Sequence, residues 1–169
     1  IACLAQASEQ VGPLSLLVDL FVISSHNMQS TSLLEEVGRV SVPVVLKRGI
    51  SSTLRELLVS AETILERGNQ DVVLCERGIR TFESVSRTTL DLGAIMALKD
   101  RTHLPVMVDP TQCVTQAHRI RPLVQACREV GADGAILQAD LNQSESKRYA
   151  LRMEHLVEIM NGPPPGNGE

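Results

Sequence analysis

Short apolar runs alternate with amphipathic stretches along most of the chain. The runs are rich in β-branched residues and recur at fairly regular spacing. Near-continuous apolar runs of this length are typical of parallel strands that are buried on both faces. Six runs predict strands: Ile1–Leu4, Leu17–Ile23, Val42–Leu46, Val72–Cys75, Val106–Val108 and Ala135–Leu137.

Helical patterns lie between these runs. One begins with a cap near Ser52, has Glu56 in its first turn, and closes at Gly68. Further helices are predicted over Ser86–Lys99, Ile120–Val130 and Lys147–Met160. Strand and helix in alternation predict a parallel α/β fold. Residues 162–169 are rich in Pro and Gly and are expected to be a disordered tail, which leaves residues 1–161 as one domain.

Polar side chains collect directly after the predicted strands. In an α/β barrel or a doubly wound sheet, the carboxyl ends of the strands form the face where a ligand site assembles. The polar residues after strands two to six therefore predict one functional rim: His26 and Asn27, Lys47 and Arg48, Glu76 and Arg77, Asp109 and Gln112, Gln138 and Asp140.

The rim is locally cationic, although the formal net charge of the chain is −4. Its cations are Lys47, Arg48, Arg77 and Arg80. One interpretation is an anion pocket, because arginine offers forked donors to phosphate or carboxylate and lysine a point charge. The other is a set of structural ion pairs with Glu76, Glu83 and Asp109. The residues alone leave both open.

Several classes of function are disfavoured. The acidic net charge and a 2% aromatic content argue against nucleic-acid binding. No apolar run approaches the length of a membrane span. Four cysteines without CxxC spacing are expected to be reduced thiols, which favours an intracellular compartment: the cytoplasm or an organelle matrix or stroma. Of the histidines only His26 lies at the rim, and one histidine does not make a metal site.

Seven motifs appear in order and at fitting distances: "NMQ" (27–29), "PVVLKRG" (43–49), "GN" (68–69), "VVLCERGIRTFE" (72–83), "TLDL" (89–92), "THLPVMVDPT" (102–111) and "GADG" (131–134). Together they resemble a known family, the 3-deoxy-D-arabino-heptulosonate 7-phosphate (DAHP) synthases, in the branch close to the 3-deoxy-octulosonate 8-phosphate synthases. The resemblance implies a (β/α)8 barrel that condenses phosphoenolpyruvate with erythrose 4-phosphate, usually with a divalent metal. It also implies that Lys47 and Arg77 occupy phosphoenolpyruvate-binding positions, and we predict a substrate anion site formed by Lys47, Arg48, Glu76, Arg77 and Arg80.

The chain departs from the family pattern at several site positions, some of which the resemblance assigns to the metal. His26 stands where the family has arginine, Gln112 where it has a ligand histidine, and Gln138 where it has a ligand glutamate. The ligand aspartate falls near Tyr149. The first two barrel strands, with the "GPC" and "KPRTSP" motifs, are not in the sequence, so an incomplete barrel of about six strands is expected. A neutral amide is a poor ligand, so we predict no metal and no other cofactor.

Three hypotheses follow. The first is a non-catalytic relative that acts as a structural, regulatory or assembly subunit. Its exposed sheet edges would be covered in a homo-oligomer or a larger assembly. The second is an active phosphoenolpyruvate-condensing enzyme of the shikimate pathway, with the missing strands upstream of Ile1. Only under this hypothesis is a divalent metal expected. The third is a module that binds a phosphorylated small molecule without reacting it. The loss of the metal ligands favours the first.

Overall fold

A computed structural model describes residues 1–139 together with Leu156, Val157 and Ile159. Six strands in the described residues form one sheet, in which every neighbouring pair is parallel and the strand order follows the chain. The fold prediction is confirmed: this is the arrangement found in the wall of an α/β barrel. The strands are β1 (Ala2–Ala5), β2 (Leu20–Ile23), β3 (Val44–Lys47), β4 (Val72–Glu76), β5 (Val106–Val108) and β6 (Gly134–Ala135).

Helices connect successive strands, as parallel pairing requires. They are α1 (Ser8–Leu14), α2 (Thr31–Gly38), α3 (Leu54–Glu66), α4 (Leu92–Arg101) and α5 (Ile120–Glu129). Two short 3₁₀ turns, Pro110–Gln112 and Ala117–Arg119, lie between β5 and α5. No helix of the described residues is long and apolar enough to span a membrane.

The main core lies between the sheet and the helices that cover it. Phe21 from β2, Leu46 from β3 and Leu74 from β4 are completely buried, and they belong to one cluster with Leu57 and Ile95 from α3 and α4. A parallel strand that is buried on both faces carries apolar side chains on both faces. The apolar runs that predicted the strands are therefore also the residues that build this core. A smaller apolar cluster surrounds Ile120 at the start of α5.

Most helix and strand boundaries differ by one or more residues from the sequence prediction, and three of the differences have a clear physical cause. Helix α3 is capped by Thr53 rather than Ser52, because the reciprocal capping box needs a three-residue spacing to Glu56. Helix α4 begins at Leu92 rather than Ser86, since Thr89 forms backbone hydrogen bonds in both directions with Ile79. Strand β2 begins at Leu20 rather than Leu17, because the turns that end α1 extend to residue 18.

Helices α1 and α2 were not predicted. Gly12 and Pro13 lie inside α1 and are unfavourable in a helix interior, so its pattern is weak. The predicted helix over Lys147–Met160 lies mostly outside the described residues, and so does the predicted tail of residues 162–169. The domain boundary at residue 161 therefore stays a prediction.

Strands β1 and β6 form the edges of the sheet within the described residues. Large apolar side chains are exposed beside β1: Ile1, Leu4, Leu16 and Leu17. The prediction that another chain covers these edges stays a prediction.

Candidate functional site

The predicted rim forms at the carboxyl ends of β3, β4 and β5. Parallel register places Lys47 of β3 beside Cys75 of β4, and Glu76 of β4 beside Val108 of β5. The charged residues at these strand ends are consequently neighbours in space, although as many as 62 positions separate them along the chain.

Arg48 and Glu76 form a buried ion pair. The Arg48 Nη1 atom lies 2.7 Å from the Glu76 Oε2 atom, and the two residues are 5% and 0% exposed. Burial raises the pKa of the Glu76 carboxyl, and the opposing influences are the Arg48 guanidinium and a hydrogen bond from the Gly78 N–H. Both side chains are therefore turned toward each other beneath the rim.

Lys47 and Asp109 form a second pair that is only partly buried. Their Nζ and Oδ2 atoms are 2.7 Å apart. The other carboxylate oxygen of Asp109 accepts hydrogen bonds from the backbone N–H and the hydroxyl of Thr111. A lysine ammonium has three N–H donors, so this contact leaves Lys47 able to donate to a further acceptor.

The charged groups of the rim act on the thiol of Cys75. Burial raises its pKa to about 12, and the charges of Lys47, Asp109, Glu76 and Arg77 all act on it. The same three residues Glu76, Arg77 and Asp109 act on the thiol of Cys113, whose pKa burial raises to about 11. The rim that the sequence predicted thus comes together around these two cysteines.

Arg77 and Arg80 differ from the paired cations. Arg77 is half-buried and Arg80 is exposed. In the part of the chain that the structure describes, neither guanidinium has a carboxylate within 4.0 Å. Arg48 and Lys47 are therefore in ion pairs, as the second interpretation of the rim expected. The anion pocket stays a prediction, and among the described residues Arg77 and Arg80 are its candidates because no carboxylate pairs with them.

A tight turn carries Arg77. The Gly78 N–H donates to the Glu76 Oε1 atom at 2.6 Å, and Gly78 has a φ of +90°. A Cβ atom on Gly78 would lie 2.5 Å from the Cys113 Sγ atom and 2.6 Å from the Thr88 Oγ1 atom. Sequence reasoning missed this role of Gly78, Thr88 and Cys113; a glycine directly after two charged residues was the one available signal.

The positions that the resemblance assigned to a metal do not form a cation site. Gln112 accepts a hydrogen bond from the Arg87 Nη1 atom at 3.2 Å, and a guanidinium so close repels a divalent cation. Gln138 and His26 are exposed. Among the residues described, no three His, Cys, Asp or Glu side chains come together to hold a metal ion. Tyr149 lies outside those residues. Within residues 1–139, the side chains at positions 112 and 138 are amides, which are poor ligands for a divalent metal.

Comparison with known proteins agrees with the motifs. Residues 3–158 match the model of the DAHP synthetase I family. Over 120 residues the chain is 42% identical to phospho-2-dehydro-3-deoxyheptonate aldolase of Thermotoga maritima, covering 71% of this chain and 36% of that protein. It is 26% identical over 141 residues to 2-dehydro-3-deoxyphosphooctonate aldolase of Geobacter sulfurreducens, covering 77% of this chain and 51% of that protein.

The fold matches as well. A truncated form of 3-deoxy-D-arabino-heptulosonate 7-phosphate synthase from Thermotoga maritima superimposes with a TM-score of 0.87 at 34% identity, over 94% of this chain and 62% of that one. The chain thus spans from 36% to 62% of the lengths of these three relatives.

These findings correct one prediction. The resemblance and the barrel-type fold are confirmed, but the hypothesis of a non-catalytic protein is wrong, because the relative with 42% identity is named as an aldolase. That hypothesis gave the replaced positions Gln112 and Gln138 more weight than the intact cationic rim. Those two glutamines bear on metal binding, whereas an anionic substrate needs donors such as Arg77 and Arg80.

Proposed function

Because this chain belongs to the DAHP synthetase I family, we propose that the protein that carries it condenses phosphoenolpyruvate with erythrose 4-phosphate to form 3-deoxy-D-arabino-heptulosonate 7-phosphate. One observation carries the proposal. At the carboxyl ends of the strands, Arg77 and Arg80 have no carboxylate partner in the described residues, although Glu76 and Asp109 lie nearby. Cations left unpaired beside carboxylates are suited to an anionic ligand.

The roles of the rim residues follow from the charge of the substrate. Phosphoenolpyruvate carries a phosphate and a carboxylate, and each needs several donors. Arg77 and Arg80 offer forked donors to these groups, and Lys47 offers a point charge that Asp109 holds in place at 2.7 Å. Fixed cations also stabilise negative charge that develops during the reaction. We assign to these residues the binding and orientation of phosphoenolpyruvate.

We further propose that this protein holds no divalent metal at the positions of Gln112 and Gln138. The contact between Gln112 and Arg87 supports this, since the amide oxygen is already occupied by a positive donor. The condensation is then insensitive to chelators. Arg87, at the same end of the sheet, adds positive charge where the resemblance implied a cation.

The experiment is a coupled assay of phosphate release from phosphoenolpyruvate and erythrose 4-phosphate, with EDTA or with manganese. We expect turnover in EDTA. Arg77→Ala is expected to raise the KM for phosphoenolpyruvate about 10- to 100-fold, the loss of one hydrogen-bonded charge contact. The control Arg101→Ala, at the far end of α4, leaves the KM unchanged. No phosphate release, or equal KM values for the two variants, would refute the proposal.

Two broader proposals concern the setting of the enzyme. We propose that a second copy or a further protein covers the sheet edge at β1, where Leu4 is exposed, and the exposed Leu16 and Leu17 of the turn before β2. Sedimentation of a stable monomer would contradict this. We also propose a reducing, intracellular compartment, which the four free cysteines support because none of them forms a disulfide within the described residues.

A further inference from the structure

We propose that the buried pair of Arg48 and Glu76 positions Arg77, and does not itself contact the substrate. The inference rests on the proposed function, since it concerns how the same site holds phosphoenolpyruvate. It assigns these two residues a role different from the direct anion binding expected from the sequence.

Glu76 fixes the backbone on both sides of Arg77. Its Oε2 atom faces the Arg48 Nη1 atom at 2.7 Å, and its Oε1 atom accepts from the Gly78 N–H at 2.6 Å. The backbone carbonyl of Glu76 also accepts from the Asp109 N–H at 2.8 Å. The Glu76 carboxylate therefore connects the two residues that flank Arg77. This connection restricts the movement of the backbone at Arg77.

Arg48 links this turn to the neighbouring loops. Its Nε atom donates to the Ser52 carbonyl at 2.9 Å, in the loop between β3 and α3. Its Nη1 atom lies 3.3 Å from the Asp91 Oδ2 atom, and the other oxygen of Asp91 caps the first turn of α4. One guanidinium thus holds the end of β4, the loop before α3 and the start of α4 in fixed relation.

The energetics of buried ion pairs favour a positioning role over one in stability. Removing two charges from water costs nearly as much as their attraction returns, so such pairs contribute little net stability compared with apolar residues of similar size. They do restrict geometry, because each partner has a few well-defined hydrogen-bond directions. A guanidinium that is held ready loses less freedom when it binds an anion.

The test is a calorimetric titration of phosphoenolpyruvate into four proteins: wild type, Arg77→Ala, the double variant Arg48→Met with Glu76→Leu, and the triple variant that combines them. We expect the double variant to unfold cooperatively and to bind about 10-fold or more weakly per folded molecule, because small displacements of a binding group have large effects. We expect the triple variant to bind no more weakly than Arg77→Ala alone.

This non-additivity separates positioning from a purely structural role, because residues that act through one another do not give additive effects. A matched control removes the exposed pair Arg67 and Glu35, whose side chains are 2.6 Å apart away from the rim, and leaves the affinity unchanged. If the double variant fails to fold, Arg48→Lys keeps the charge beside Glu76 but loses the forked contacts, and is expected to bind roughly 3- to 10-fold more weakly.

The outcomes separate this inference from the function on which it rests. A wild type that binds no phosphoenolpyruvate refutes the proposed function, and the inference with it. A wild type that binds, together with a folded double variant of equal affinity, overturns the inference alone. Additive losses in the triple variant overturn it as well. If Arg48→Lys replaces the double variant in the test and binds phosphoenolpyruvate with wild-type affinity, the inference is overturned.

Discussion

Replacing Gly78 with alanine tests the geometry of the turn that carries Arg77. Gly78 has a φ of +90°, a conformation that side-chain-bearing residues rarely adopt. The added Cβ atom would also lie 2.5 Å from the Cys113 Sγ atom and within 2.9 Å of two atoms of Thr88. These neighbours are short side chains, so they cannot swing away as the end of a lysine could.

The strained backbone conformation and the close contacts of the added Cβ atom each lower the stability of Gly78→Ala by a separate amount. Holding a non-glycine residue at positive φ costs about 1–3 kcal/mol. Forcing an extra methyl group into a packed site costs about 1–3 kcal/mol. We therefore expect Gly78→Ala to lower the free energy of unfolding by about 2–6 kcal/mol, the sum of the two.

Gly68→Ala is the matched control. Gly68 has a φ of +110° just after α3, but nothing lies within 4 Å of its added Cβ atom. This variant should show the backbone cost alone, about 1–3 kcal/mol. Urea unfolding followed by circular dichroism gives both free energies by linear extrapolation. Adding Cys113→Ala to Gly78→Ala should recover part of the difference, because it removes the nearest of the clashing atoms.

The comparison can refute the reasoning. If Gly78→Ala loses no more stability than Gly68→Ala, the close packing of Gly78 against Cys113 and Thr88 is incorrect. If Cys113→Ala recovers nothing, the clash is not with that thiol.

Three further predictions concern other parts of the fold. Asp133 accepts hydrogen bonds from Lys99 and, at 2.7 Å, from the Val106 N–H, and these contacts lower its pKa. A depressed carboxyl pKa stabilises the fold above the unfolded value near 4 and loses that effect as the pH falls through the folded value. Asp133→Ala removes the acceptor of the backbone hydrogen bond as well as the partner of Lys99, so it should destabilise at pH 7 by about 1 kcal/mol, and the gap should narrow under acid conditions. Lys99→Met should lower the free energy of unfolding by less, because it leaves the backbone hydrogen bond in place, and an equal loss would contradict this prediction. Asn69, 4% exposed, donates to the carbonyls of residues 37 and 42, so Asn69→Ala should cost about 2–4 kcal/mol in urea unfolding; a loss below about 1 kcal/mol would refute the buried network. Burial raises the pKa of Cys75 to about 12, so iodoacetamide at pH 8 should modify it only after unfolding, and rapid labelling in the native state would contradict its burial.

The fold was largely predictable because strand burial leaves a strong local pattern. All six strands were placed, since runs such as Val72–Cys75 are apolar on both faces. The predicted boundaries were wrong where contacts with residues distant in the sequence determine where an element begins. The start of α4 was misplaced because Thr89 pairs with Ile79 across a loop, and no local periodicity shows such a pairing.

The site was predictable in its location but not in its internal contacts. Parallel topology alone brings the strand ends together, so Lys47 and Arg77 could be assigned to one rim. Which cation meets which carboxylate depends on register and side-chain reach. The sequence therefore could not show that Asp109 pairs with Lys47 and Glu76 with Arg48, nor that no carboxylate of the described residues pairs with Arg77.

The most direct test of the central claim is the binding of phosphoenolpyruvate in EDTA by wild type and by the double variant Arg77→Ala with Arg80→Ala. The claim is that these two arginines hold the substrate anion without a divalent metal. We predict one binding site per chain in the wild type, and a loss of affinity of about 100-fold or more in the variant, from two charged contacts. Binding that requires manganese, or that survives the loss of both arginines, would contradict the account.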